Sequence, residues 1–367
     1  MPVRPLASML AAVLACLGLV LAAAPPGTAQ STGRTAGSAS SASRSASSLR
    51  AAAKIAATRK HQKHRKHHKH RKHRPVKRTK PTTKPTTKPT AKAATPTPTR
   101  TLSATATASA PCGGTTYYKA DGSRWVCSFD DEFSGTTLDP TKWTAWNGVN
   151  YNTSPNTCYY DDAKHLWVKG GYLNLSVTRL TTPAQCVTGN GLETSTYAGA
   201  LVHSLGHFSQ TYGRFEARIK FAGGTGLHSD FWLYPTANTY PGQAEIDIAE
   251  PYGDWPNVVS AVTHVTGSSG TDEGGWGACT VTNWAAGFHT YAVEWTSGSV
   301  RFIYDGKACM SFTKWTTVSG FAPPAPFNQP FFMILQSLVD DGQYAAAPTA
   351  STVFPATTQV DYVRAWK

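Results

Sequence analysis

Three carboxylates, Glu245, Asp247 and Glu250, fall inside the six residues Glu245-Ile246-Asp247-Ile248-Ala249-Glu250, in a half of the chain otherwise poor in charge. Two carboxyl groups flanking a scissile bond are the minimum equipment for glycoside hydrolysis, one as nucleophile and one as acid/base. In an extended strand successive side chains alternate faces, so Glu245 and Asp247 point one way and Glu250 the other. One extra residue, a β-bulge around Ile248 or Ala249, returns Glu250 to the face of the other two. Four effective strand steps of about 3.3 Å then put the Cα atoms of Glu245 and Glu250 roughly 13 Å apart, a gap two inward-leaning glutamates can largely close. A carboxyl separation of about 5–5.5 Å implies retention of configuration, and about 6.5–9.5 Å implies inversion. Asp247 lies between the two, where its like charge raises a neighbour's pKa or shares a proton with it, and the trio titrates as a group. Two other readings compete. A strand can carry acids on a merely solvated face, and three acids can chelate calcium, although alternating positions on a rigid strand do not supply the wrapping cage of oxygens Ca²⁺ prefers. There is no P-loop, G-x-G-x-x-G or H-E-x-x-H, and Gly267-Ser268-Ser269-Gly270 lacks the spacing of a serine-hydrolase elbow.

The elements that must position these acids read as strands. In Gly213–Phe221 the apolar residues 215, 217, 219 and 221 alternate with the charged residues 214, 216, 218 and 220, which predicts one core face and one solvent face. Val300–Tyr304 runs into Asp305-Gly306, a favoured hairpin turn pair. Further strands are expected at Tyr172–Thr178, Phe231–Tyr234, Val258–His264, His289–Trp295, Phe331–Gln336 and Gln359–Ala365, with no sustained helical periodicity. About 257 residues from Pro111 to Lys367 suit one large all-β sandwich or jelly roll with a concave face on which a polymer could lie. All 11 Trp lie after residue 120. Indoles pack against sugar rings as well as in cores, and Trp232, on the strand before the acidic one, is the candidate for the cleft.

The first 110 residues read differently. Arg4, the apolar run Leu6–Ala24 and small residues near Thr28-Ala29 form a secretory signal over residues 1–29. With it gone, no stretch is apolar and long enough to span a bilayer, and the mature chain is expected to be a monomer, extracellular or associated with the cell envelope. Six cysteines remain, an even number suited to disulfides in an oxidising compartment. Proximity suggests Cys112 with Cys127, Cys158 with Cys186 and Cys279 with Cys309, although six cysteines permit about 15 pairings. The net charge of +14 hides an asymmetry. Residues 1–120 hold 22 of the 35 Lys and Arg and none of the 21 Asp and Glu, so the acid-bearing domain is itself mildly acidic and suits a neutral substrate. Residues 30–110, rich in Ala, Ser, Thr, Pro, Lys, Arg and His, cannot bury a core and read as a disordered basic arm before the 111–367 domain. The block Arg59-Lys60-His61-Gln62-Lys63-His64, continuing in kind to Arg74, offers a polycation for anionic envelope polymers. Metal binding by its histidines and a plain solvated linker are the competing readings, and no specific nucleic-acid partner is implied.

Several stretches, in order, resemble glycoside hydrolase family 16. Glu245–Glu250 is similar to its E-[IL]-D-[IV]-x-E signature, in the bulged form of the laminarinase-like branch. Asp131-Glu132-Phe133-Ser134-Gly135 with Leu138-Asp139 and Trp143 resembles the opening strand, and Tyr212–Phe221 the Y-G-x-F-E-A-R-I-K strand. Phe231-Trp232-Leu233, His289–Trp295, Tyr304-Asp305-Gly306 and Val360–Arg364 resemble later elements. The resemblance implies a concanavalin-like jelly roll with a concave cleft and a retaining endo-glycosidase needing no cofactor for catalysis. Glu245 is then the nucleophile, Asp247 its assisting acid, Glu250 the acid/base and His264 a cleft histidine. It further implies a structural Ca²⁺ on the convex face at Glu132, Asp361 and a carbonyl near Gly171. Departures from the laminarinase pattern sit at Leu227-His228-Ser229-Asp230, at Ala249 and Pro251, and at Gln336–Asp341. They leave the polysaccharide open: a β-1,3- or mixed-linkage β-glucan is expected, with galactan-type or transglycosylating activity, or a lectin-like binding module, as alternatives.

Overall fold

The structure is a computed structural model that describes residues 111–150, 156–188, 191–237, 243–266, 275–313, 323–342 and 344–367. The signal, the basic arm and the Gly267–Gly270 stretch lie outside the described residues. In chain order the strands are β1 (Cys127–Asp131), β2 (Thr144–Ala145), β3 (Val149–Asn150), β4 (Thr157–Tyr159), β5 (Leu166–Lys169), β6 (Tyr172–Thr188), β7 (Gly191–His203), β8 (Gly213–Lys220), β9 (Leu227–Pro235), β10 (Gln243–Pro251), β11 (Val258–Thr266), β12 (Gly275–Thr280), β13 (His289–Trp295), β14 (Val300–Tyr304), β15 (Lys307–Phe312), β16 (Phe331–Val339) and β17 (Ala356–Trp366). Only two short 3-10 turns, Pro111–Gly114 and Trp284–Ala286, interrupt this all-β chain among the described residues. No described helix is long and apolar enough to cross a membrane.

Two antiparallel layers make a jelly-roll sandwich. One runs β12-β11-β10-β9-β16-β7-β2 and the other β5-β6-β17-β8-β13-β14-β15, with β1 on β17. Alternation decides what fills the space between them. On β9 the odd residues Phe231 and Leu233 enter the main core beside Phe331, Met333 and Leu335 of β16 and Phe215, Ala217 and Ile219 of β8. The even residues of β9 therefore share the opposite face of their sheet. Each of the eight expected strands is present, and several run longer. β6 continues to Thr188, with an irregularity against β7 between Arg179 and Ala184. Pro183 falls in that gap, where it has no ladder N–H to give.

The polar face of β8 departs from expectation. Arg214 and Glu216 are 4% and 2% exposed, not solvated. The segment after Cys112, tied to β1 by the Cys112–Cys127 disulfide, lies over them. Tyr117 donates its hydroxyl to Glu216 at 3.0 Å and its ring stacks 3.9 Å from the Arg214 guanidinium, while Tyr362 donates to Glu216 at 2.9 Å. Arg214 also pairs with Glu294 at 2.9 Å. Burial of these charges is tolerable because each is paired and hydrogen-bonded. The other two disulfides join Cys158 to Cys186 and Cys279 to Cys309, so all three pairs follow sequence proximity.

Candidate active site

The acidic segment forms β10, in the middle of its sheet between β9 and β11. Ala244, Ile246 and Ile248 point into the core in regular alternation, and Ala249 follows them inward, out of turn. Against β11 the register passes from Asp247↔Val262 to Glu250↔Ser260, so Ile248 and Ala249 together oppose Ala261. This is the bulge, and it returns Glu250 to the face of Glu245 and Asp247. Glu245 faces His264 and Glu250 faces Ser260, four residues along the partner strand. The sequence supports the kink locally, since Ala249 is small enough to share the core with Ile248. From the opposite sheet, Tyr304 aims its hydroxyl through the core at the Ile248 carbonyl, 2.6 Å away, and at the Ser260 carbonyl, 3.1 Å away. A bulge leaves backbone groups off the ladder, and this phenol takes one of them.

Two clusters surround the trio. Glu245, Asp247 and His264 have polar atoms within 4.8 Å of one another, with His264 Nε2 3.2 Å from Asp247 Oδ2. The resemblance implies a cleft histidine at His264, and the structure sets its ring against the Asp247 carboxylate. The second cluster joins Glu250 to β9. His228 Nε2 lies 2.8 Å from Asp230 Oδ1 and 3.5 Å from Glu250 Oε1. Tyr252 donates its hydroxyl to the same Glu250 oxygen at 2.6 Å and stacks on the His228 ring, centroids 4.4 Å apart. Gln336 donates to Asp230, and Tyr159 donates to Gln336 at 3.4 Å.

These neighbours set the protonation of the site. Burial, then the Asp247 charge, pushes Glu245 well above the usual carboxylate range. Burial also raises Asp247, to about 6, against the pull of His264. Burial works the same way on Glu250, but the His228 and Tyr252 contacts outweigh it and hold that carboxyl below its ordinary value. Burial disfavours the His228 cation, yet the charge of Asp230 and the Glu250 contact overcome this and raise its pKa to about 10. These directions favour a shared proton on the Glu245–Asp247 pair and a charged His228 ring between Asp230, itself raised by burial, and Glu250.

Trp232 lies directly across from Asp247 in the β9–β10 register and so shares its face. It packs with Tyr234, Trp146, Tyr159, Leu201, Phe332 and Ile334 in a second apolar cluster on the outer side of the sheet. Of its rings Trp146, Trp232 and Tyr234 are partly exposed, so that face carries aromatics at one end and ions at the other, an arrangement suited to a sugar chain stacked on rings and cleaved over acids. His228, Asp230, Tyr252, Gln336 and Tyr304 carry no role in the sequence reading. A signal for two of them existed, because His228 and Asp230 share the parity of Trp232 on β9.

The expected calcium set does not fit a cation. Arg364 makes a bidentate pair with Glu132 at 2.7 and 2.8 Å, and Arg218 pairs with Asp361 at 2.6 Å. Guanidinium groups thus take up both carboxylates, while Gly171 sits in a positive-φ turn between β5 and β6. Among the described residues, only the two cleft clusters bring three His or carboxylate ligand atoms within 4.8 Å, and their members already pair with one another. Neither is read as a metal centre.

Comparison with known proteins agrees with this geometry. A family model described as "Beta-porphyranase A-D, GH16 domain" matches residues 125–367. A glucan endo-1,3-beta-glucosidase A1 of Niallia circulans is 30% identical over 268 residues, covering 65% of this chain and 37% of that protein. A beta-glucanase of Rhodothermus marinus is 31% identical over 259 residues, covering 66% of this chain and 85% of its own. The solved laminarinase from Rhodothermus marinus superposes with a TM-score of 0.54 at 30% identity, covering 66% of this chain and 97% of that one. A strand carrying three acids, bulged to face them one way inside a jelly roll, and a family model matching residues 125–367 lead to one conclusion: the protein belongs to glycoside hydrolase family 16.

Proposed function

We propose that the chain is an exported, retaining endo-glycosidase that cleaves a β-1,3- or mixed-linkage β-glucan by double displacement. The observation that carries this is the bulge, which sets Glu245, Asp247 and Glu250 on one face. Glu245, once its proton has passed to Asp247, attacks the anomeric carbon while Glu250 protonates the departing oxygen; water, deprotonated by Glu250, then releases the sugar from Glu245. Asp247, with His264 behind it, takes the proton that would otherwise block the nucleophile. The aromatic cluster around Trp232 holds sugar rings. Relatives named as glucanases support the β-glucan, and the porphyranase-type family model supports a galactan as the second reading.

Reducing-end release from laminarin, lichenan, agarose, galactan and porphyran tests both. Product from the first two supports the β-glucan, product from galactans alone transfers the reading to them, and binding without product anywhere makes the protein a lectin. Glu245→Gln and Glu250→Gln should each lower turnover by at least about 10³-fold with the melting temperature retained. An active Glu245→Gln enzyme removes the nucleophile assignment.

A further inference from the structure

We propose that His228, held by Asp230, stores the acid proton for Glu250, so that the resting site and the reactive site differ only by proton moves between neighbouring groups. The inference rests on the family reading of Glu250 as acid/base and adds a positioning residue to it. Geometry carries it. A general acid must hold a proton before the leaving group departs, yet Glu250 accepts the Tyr252 hydroxyl at 2.6 Å and faces His228 at 3.5 Å, both of which favour its carboxylate form. His228 Nε2 is the only nitrogen among the described residues that pairs with Glu250, and it is buried under Tyr252.

The groups around His228 come from three elements. Asp230 lies on its own strand, Glu250 on β10 with Tyr252 just beyond, and the buried Asp340 just after β16. Gln336 of β16 caps Asp230 and leaves it an acceptor towards the ring. Apart from the Tyr252 phenol, which stays protonated, every one of these titratable partners is a carboxyl group, so an imidazolium is the form the site favours.

The proton count closes with the attacking water as the one solvent molecule consumed. The His228 Nε2–H bond breaks, its proton passes to Glu250 Oε1, and the ring keeps the electron pair as neutral imidazole. Glu250 passes that proton to the glycosidic oxygen as the C–O bond breaks, and Glu245 supplies the electron pair of the new bond to carbon. In the second half the attacking water gives one proton to Glu250 and its hydroxyl to the anomeric carbon, and Glu250 returns the proton to His228. Excluding water from the partly exposed Glu250 on substrate binding favours the first move, because a carboxylate that loses its hydration takes up a proton more readily.

Histidine ring ¹⁵N NMR on the unliganded full chain reads this directly, with the His228 signal assigned by its loss in His228→Gln. The expected result is an imidazolium at neutral pH whose midpoint lies well above 6.5, and a midpoint lower by at least about one unit in Glu250→Gln, since coupling between two sites is reciprocal. A neutral ring at pH 7, or an unmoved midpoint in Glu250→Gln, overturns the proposal. On whichever polysaccharide is turned over, the alkaline limb of kcat/KM should fall by a unit or more in both His228→Gln and Asp230→Asn, measured at a temperature where both variants remain folded; a loss of rate with the limb unmoved reduces His228 to a structural role. If no polysaccharide is cleaved the family-level activity fails, while the NMR outcome still decides the proton's location.

Discussion

His264 is 3.2 Å from Asp247 and still partly open to solvent, so it is the side chain best placed to tune the nucleophile's pair from outside the core. Its contact holds Asp247 down against burial, which otherwise raises that carboxyl further above its value of about 6. The sign of its removal follows. Without His264 both Asp247 and Glu245 are harder to ionise, so the acidic limb of kcat/KM should move to higher pH in His264→Ala. The measurement is a pH–rate profile, and an acidic limb that stays put or moves lower contradicts the pairing. Which acids perform the chemistry was legible in their spacing, because off-period Glu250 has no use unless a bulge corrects it. What His264 touches was not legible, since a strand histidine can face a sugar or a carboxylate with the same neighbours in sequence. His228 and Asp230 were visible only as departures from a pattern, and their meaning depends on β9 lying beside β10.

At the scale of the element, the bulge needs support on its core side. Tyr304 supplies it from β14, reaching the Ile248 carbonyl across the whole thickness of the sandwich. Tyr304→Phe keeps the ring and removes only that donor, leaving a buried carbonyl short of a partner at a cost of about 1–3 kcal/mol. The expected outcome is a lower denaturation midpoint together with reduced kcat at near-normal KM, as Glu250 drifts from its place. Full activity with only the stability loss would show that the bulge holds itself. Strand positions were readable from alternation wherever one face is apolar, as in β8 and β14. The exposure of the polar face was not, because the strap beginning at Cys112 covers it through contacts more than 90 residues away in sequence.

For the whole molecule, charge is divided along the chain. The residues up to 120 carry 22 of the 35 cations and the rest of the chain is acidic on balance, so a single net charge describes neither part. We propose that the block from Arg59 to Arg74 retains the exported enzyme on anionic envelope polymers through counterion release. Deleting residues 59–80 should lower the salt needed to wash the protein from cell walls and leave hydrolysis of soluble polymer unchanged. Equal retention of both forms at every salt concentration would end that idea. The Cys112–Cys127 strap lies on the sheet opposite the acids.

The bulge at Ile248 and Ala249 adds a residue to β10 without adding length. Counted on its own strand, Glu250 is five positions from Glu245, but counted on β11 the two acids are only four apart. A chain lacking Ala249 would therefore read Glu-Ile-Asp-Ile-Glu, keep strict alternation, and still present its acids on one face at the same reach. What the extra residue supplies is not distance between the carboxylates but local twist, and with it the direction in which the last of them meets His228.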